Sequence, residues 1–129
     1  MLKYSRQRES IKQYLDIHRT HPTAETVYLD IKQEFPNISL GTVYRNLNLL
    51  ADMGEILRIS SGNGPDHYDG NSAQHYHFIC EDCGNVLDID MEPQTQINEI
   101  AGANFAGKIT SHVTHFFGRC PECNKEKTN

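Results

Sequence analysis

The sequence predicts an α+β chain in two parts, a winged helix-turn-helix over residues 1–70 and a small α/β unit over residues 71–129. Three observations carry this reading. Apolar residues recur at helical spacing in three short stretches before Gly54, each separated from the next by a proline and a capping hydroxyl. At Glu55 the period changes from helical to alternating, with a glycine-rich turn between two short runs. In the second half, the chain's only four cysteines fall into two C-x-x-C pairs, Cys80/Cys83 and Cys120/Cys123.

The first helix is expected over Leu2 to Ile17, with Ile11, Tyr14 and Leu15 on one side and Lys3, Arg6, Arg8 and Lys12 making the other face basic. His21-Pro22 breaks it, since proline disfavours helical geometry in the residue before it, and Thr23 is placed to cap the next helix. That second helix, Ala24 to Phe35, puts Val27, Ile31 and Phe35 inward and ends at Pro36-Asn37. Ser39 offers the cap of a third, which turns Val43, Leu47 and Leu50 inward and stops at Gly54. Residues 56–60 and His67-Tyr68-Asp69 then read as two strands joined by SSGNGPD, the wing. After a hinge at Gly70-Asn71-Ser72, strands are expected over His75 to Ile79, Asn85 to Asp90 and Lys108 to Gly118. Between the last two, a helix opens at Glu92-Pro93 and runs to Ala103, with Ile97, Ile100 and Ala101 as its apolar side. Such a sheet has an edge that a second copy of the chain could cover.

Thr42, Tyr44, Arg45, Asn46 and Asn48 occupy the outward face of the third helix. These side chains can reach base edges, a thymine methyl or phosphates, as a helix in the major groove must. The bland alternative is a solvated helix face. Net charge is −5, but the halves differ: residues 1–60 carry 8 Lys and Arg against 7 Asp and Glu, residues 61–129 carry 4 against 10. An acidic half behind a locally basic one is compatible with binding a polyanion.

The stretch His75 to Gly84, HYHFICEDCG, carries the chemistry. Read as a strand it points His75 and His77 to one face, where two imidazoles can close on one metal. It then runs into Cys80-x-x-Cys83, and with Cys120-x-x-Cys123 this spacing suits four thiolates around one tetrahedral zinc ion. Two disulfides are the alternative; they need an oxidising compartment, and the segment MLKYSRQRES has no apolar run that would direct the chain there. No stretch approaches the length of a membrane span, so a cytoplasmic protein is expected.

Taken in order, THPTAETVY, SLGTVYRNLNLLADMGEI, HYDG, HYHFICEDCGNVLDID and GRCPEC closely resemble the ferric uptake regulator family, over Ser5 to Cys123. The resemblance implies a homodimeric, metal-dependent transcriptional regulator of double-stranded DNA, in which the C-terminal α/β unit is the dimerisation domain and the operator is two-fold symmetric. It implies a regulatory Fe²⁺ or Mn²⁺ site drawn from His21, Asp69, His75, His77 and Asp88, and a structural zinc at the four cysteines. Three imidazoles and two carboxylates form a nitrogen and oxygen set that suits those ions. The resemblance also points to a branch. Iron-uptake members usually have glutamate where this chain has Asp88, and they take auxiliary ligands where it has Gln74 and Tyr76. Both differences lean toward the peroxide-sensing repressors, in which bound Fe²⁺ reacts with hydrogen peroxide and a ligand histidine, here His21 or His75, is oxidised. His112 matches a histidine of the auxiliary site, and His115 matches no known ligand. Members of this branch commonly carry a further helix ahead of the segment that begins here at Ser5, so a chain without it is expected to differ in DNA affinity. An iron-responsive regulator without peroxide sensing, a mononuclear metalloenzyme and a zinc-stapled interaction module are the rival readings.

Overall fold

The computed structural model describes residues 3–60 and 64–127, and the chain divides into two compact units, Met1–Ala73 and Gln74–Asn129. Among the described residues no helix is long and apolar enough to cross a membrane.

In the first unit, helices α1 (Arg6–Ile17), α2 (Ala24–Ile31) and α3 (Leu40–Asp52) precede a hairpin of β1 (Leu57–Ile59) and β2 (His67–Asp69). Each helix begins at a hydroxyl cap. Ser5 accepts from the Arg8 N–H, Thr23 from Thr26 and Ser39 from Thr42, so an otherwise unpaired first-turn donor is satisfied in each case. The Ser5 cap sets the start of α1 at Arg6, four residues later than periodicity predicts. Likewise α2 closes at Ile31, and residues 32–35 continue as tighter turns in which Glu34 and Phe35 both donate to the Ile31 carbonyl. At the end of α3, Gly54 donates to Ala51 and Glu55 to Leu50, the paired bonds of a Schellman stop.

The inward residues merge into one core. Ile11, Leu15, Val27, Val43, Leu47, Leu50, Ile56 and Tyr68 are buried together, with Tyr14, Phe35 and Tyr44 packed at its margin. The hairpin pairs Leu57 with Asp69, Arg58 with Tyr68 and Ile59 with His67. Three helices followed by this hairpin make the winged helix-turn-helix; Ser61 to Asn63 of the expected turn lie outside the described residues. Gly70 is tied to α1 by close approach: a Cβ there would sit 2.7 Å from the Leu15 carbonyl oxygen. That contact seats Asp69, the preceding residue, on the helical core.

The second unit is a three-stranded sheet in the order β4-β3-β5, formed by β3 (Tyr76–Cys80), β4 (Val86–Ile89) and β5 (His115–Gly118), with α4 (Gln96–Gly102) and α5 (Pro121–Lys127). β3 is central and buried, antiparallel to β4 and parallel to β5. The strand expected from Lys108 shrinks to His115–Gly118. β3 begins only at Tyr76, and its parallel ladder starts at His77 opposite His115, with the His77 N–H reaching back to the Thr114 carbonyl, so residues 108–113 lie beyond the ladder. The helix expected from Glu92 starts at Gln96; ahead of it the Gln94 N–H is held by the Tyr76 hydroxyl, and Ile97 and Asn98 donate to the Gln94 and Thr95 carbonyls in tighter turns. Its apolar side is not buried within the unit: Ile100 is 72% exposed, and Phe117 on the edge strand 57%.

Candidate metal centres and nucleic-acid face

The four thiols are brought together by three short elements. β3 delivers Cys80, the turn after it Cys83, and the start of α5 Cys120 and Cys123. All four are free thiols, and their sulfurs lie within 4.8 Å of one another. Cys83 and Cys120 are 3.8 Å apart, which matches the edge of a tetrahedron with Zn–S bonds of about 2.3 Å. Backbone N–H groups of Cys83 and Cys120 point at the Cys80 sulfur, at 3.5 and 3.3 Å, and hold its pKa down to about 6. Cys83 and Cys123 behave oppositely. The Asn85 backbone N–H favours the Cys83 thiolate, but Cys80, burial and Cys120 outweigh it and push that thiol up; Cys123 is pushed up by Cys120, then by burial. The Cys80 thiolate forms readily while the Cys83 and Cys123 thiols resist, the expected behaviour of sulfurs crowded without a cation. A dication removes the conflict, so this donor set fits zinc.

The second group of ligand candidates starts in the first unit. His21 holds a left-handed backbone, φ 58°, which a β-carbon disfavours and which is the sole such non-glycine conformation among the described residues. The His67 Nδ1–H donates to its carbonyl at 2.6 Å, and the Tyr68 N–H bonds the next carbonyl, Pro22, at 2.9 Å. The wing's return strand therefore fixes the His21 backbone. The reward is position: His21 Nε2 lies 3.2 Å from Asp69 Oδ2, both residues being almost fully buried. The Asn71 N–H occupies Asp69 Oδ1 at 2.9 Å and orients the carboxylate.

In the second unit, His75 Nε2 is 3.1 Å and His77 Nε2 3.5 Å from the same Asp88 oxygen, and the two rings are 4.3 Å apart. Cross-strand register explains this, since His77 is the partner of Asp88. His75 precedes the first ladder residue, so its expected place within the strand is corrected to the strand's entrance. All five residues expected as regulatory ligands thus stand in nitrogen and oxygen clusters with no thiolate.

His112 has a different role. Asn98 Oδ1 can only accept, so His112 Nδ1–H donates to it at 2.8 Å and Nε2 of the neutral ring accepts from the Tyr76 hydroxyl at 2.7 Å, which itself accepts from the Gln94 N–H. Both ring nitrogens are spoken for, and no lone pair is left for an ion. His115 sits opposite His77, ring centroids 6.3 Å apart, with its pKa held below the usual range by burial and then by His77.

On α3, Arg45 is exposed, and Thr42, Tyr44 and Asn48 are half-buried. Asn46 is corrected: at 7% exposure it belongs to the packed side of the helix. Thr42 accepts from the Ser39 hydroxyl, tying it to the cap. Arg58, which sequence reasoning did not single out, donates from β1 to Asn48 at 2.8 Å. Its signal is faint, a single basic residue in a short strand.

Known proteins resemble this chain in both sequence and fold. The model of the ferric uptake regulator family matches residues 1–117. A peroxide-responsive repressor of Staphylococcus aureus is 34% identical over 95% of this chain and 82% of its own length. Among solved structures, the Helicobacter pylori ferric uptake regulator, reported with three functional metal binding sites, superposes with a TM-score of 0.81 at 30% identity, over 95% of this chain and 83% of that one. A Campylobacter jejuni peroxide stress regulator superposes with a TM-score of 0.77 at 29% identity, over 91% and 88% of the two chains.

Proposed function

The chain belongs to the ferric uptake regulator family, dimeric metal-dependent transcriptional regulators and not enzymes, and on that premise we propose that it is a repressor which senses hydrogen peroxide through oxidation of a ligand histidine. Residues 1–70 are the DNA-binding domain and residues 71–129 the metal-binding dimerisation domain. Cys80, Cys83, Cys120 and Cys123 hold structural zinc. His21, Asp69, His75, His77 and Asp88 together hold one Fe²⁺ or Mn²⁺, drawing ligands from both sides of the hinge. An ion that binds the DNA-competent arrangement more tightly than other arrangements shifts the population toward it. Thr42, Tyr44, Arg45 and Asn48 face the duplex. In a dimer the operator is two-fold symmetric, its half-sites spaced by helical turns of DNA. A repressor of this kind works where the chromosome is, which puts the protein in the cytoplasm.

The observation that carries the reading is the sharing of one Asp88 oxygen by His75 and His77, a compact nitrogen and oxygen set for a hard or borderline divalent ion. Peroxide sensing is supported by the aspartate at position 88, by the relatives named as peroxide-responsive, and by the Tyr76–His112–Asn98 hydrogen-bond chain that stands where an auxiliary metal site would be. Ferrous iron, when bound, supplies the electron that cleaves peroxide. The protein's part is to hold imidazoles of His21 and His75 as the nearest oxidisable groups, with no ligand thiolate to intercept the oxidant. A second reading, an iron-responsive regulator without peroxide sensing, is favoured by the likeness to the Helicobacter regulator. Mobility shifts with Fe²⁺ and with Mn²⁺, each before and after peroxide, separate them. The proposal expects iron-loaded protein alone to release DNA; equal retention by both metal forms supports the second reading.

A further inference from the structure

Asn48 lies on the half-buried margin of α3 where the helix meets the wing, and its side-chain oxygen is doubly engaged. Arg58 Nη1 donates to Asn48 Oδ1 at 2.8 Å and the Tyr68 hydroxyl donates to the same oxygen at 3.3 Å. Arg58 and Tyr68 are direct partners across β1 and β2, so both donors come from one cross-strand pair of the hairpin. Arginine has no acceptor, which fixes the atom facing it as the oxygen and turns the amide nitrogen away from the hairpin. The carbonyl's two lone pairs are both used. What Asn48 has left is Nδ2, with two N–H donors, beside an Arg58 guanidinium that is 39% exposed and approaches Asp52 only at 4.0 Å.

We infer that Asn48 and Arg58 form a donor-only corner that receives an acceptor group of DNA, and that this corner does not read adenine. The inference rests on the DNA-binding reading above. Asparagine recognises adenine by accepting from N6–H while donating to N7, and here the accepting half of that pair is occupied. A phosphate oxygen, guanine N7 or O6, or thymine O4 offers acceptors alone and matches the corner. Asn48 is the contacting residue. Arg58 and Tyr68 are positioning residues, buried Tyr68 from below and Arg58 from the strand, that fix which end of the amide faces out.

The test uses the full-length, zinc-containing, Mn²⁺-loaded dimer and duplexes it selects from a random pool. Asn48→Ala removes both donors without adding charge, and Asn48→Asp keeps an acceptor for Arg58 and Tyr68 while removing them. Asn48→Asp is expected to melt as the wild type does, Asn48→Ala to melt lower but still cooperatively because it leaves the buried Tyr68 hydroxyl without its acceptor, and both to bind selected duplexes at least about tenfold more weakly at matched salt, measured below either melting transition. Single methylphosphonate linkages and single base analogues then locate the partner. If one neutral linkage weakens the wild type but not Asn48→Ala, the acceptor is a phosphate; if a 7-deazaguanine or a thymine lacking O4 does so, it is a base edge. Replacing one adenine by purine, which deletes only the N6 amino group, should leave the wild type's Asn48-dependent affinity unchanged. A loss on that replacement that disappears in Asn48→Ala overturns the inference, as does wild-type affinity in Asn48→Asp. If the wild type itself retains no duplex in either metal form, the DNA-binding reading falls and takes this inference with it.

Discussion

His21 Nε2 lies 3.2 Å from Asp69 Oδ2, and it gets there on a backbone that only glycine adopts freely. Such a conformation costs on the order of 1–3 kcal/mol and persists where its surroundings over-determine it. Here the His67 ring and the Tyr68 N–H do so. Asparagine tolerates the left-handed region, and Asp69 keeps its bond from the Asn71 N–H although the shorter amide does not reach it. His21→Asn should therefore fold with stability within about 1 kcal/mol of the wild type. Metal-dependent DNA binding should fall sharply while zinc content stays whole, read by thermal melts, metal analysis and mobility shifts. Intact metal response in that variant would remove His21 from the ligand set.

The four cysteines make a prediction about pH as well as about folding. In zinc-free, reduced protein one thiolate should appear with a midpoint about pH 6 in ultraviolet absorbance, and Cys80→Ser should abolish that step, since two backbone donors favour only that sulfur. Its folded pKa is depressed, so its contribution to the zinc-free fold is present above the unfolded value of about 9 and fades as pH falls toward 6. The Cys83 and Cys123 thiols are raised, so theirs is present below the unfolded value and lost in alkali. With zinc bound, protons and metal compete, and acidification should release the ion. Cys123→Ser should lose zinc, unfold the second unit and abolish the dimer in sedimentation; a stable zinc-free dimer would end the structural-zinc assignment.

Much of the winged helix could be read from residues, because caps and inward apolar positions are local: Ser5, Thr23 and Ser39 each sit one residue before a helix and accept from its first turn. The second unit was less legible. Its last strand starts at His115 because the β3 ladder starts at His77, a limit set by a pairing partner far away in sequence. The helix α5 has no apolar period to betray it, being built from PECNKEK around one metal-ligand candidate. In the site, His75 and His77 stand out by alternation alone. His21 and Asp69 did not; only the family pattern selects them, since nothing local in the sequence announces a left-handed histidine before a proline.

The exposed apolar residues of α4 and β5 bear on assembly. Ile100 and Phe117, with Val113 at 84% exposure, put apolar surface in water on a family of dimers. Phe117→Glu and Ile100→Glu should each shift sedimentation from dimer to monomer while four thiols still bind one zinc. An unchanged dimer in the double variant would place the interface elsewhere.

Arg45 is the exposed member of the α3 face. Arg45→Ala should leave the fold intact and weaken operator binding by about 1–3 kcal/mol with relaxed preference at one base pair if it reads a base, or reduce the salt slope by about one if it meets phosphate. Unchanged affinity at matched salt would move the reading surface off this helix.

Peroxide sensing has the most discriminating consequence. His75 and His77 converge on one oxygen of Asp88, whose short side chain keeps the carboxylate close to its own strand. Glutamate there would reach one methylene further and change the position of the ion relative to His75. Iron-loaded protein should lose DNA binding after peroxide, and manganese-loaded protein should keep it, because Mn²⁺ suits the same hard ligands but does not readily reduce peroxide by one electron. Mass spectrometry should find one added oxygen on the peptide carrying His21 or His75. Asp88→Glu should retain metal-dependent DNA binding and resist peroxide at doses that inactivate the wild type. The four cysteines provide the contrary outcome, since Cys80 titrates low enough to be a reactive thiolate wherever zinc is lost. If peroxide oxidises the cysteines first, releases zinc and inactivates both metal forms alike, then the sensor is the thiol cluster and the histidines serve only to hold the ion.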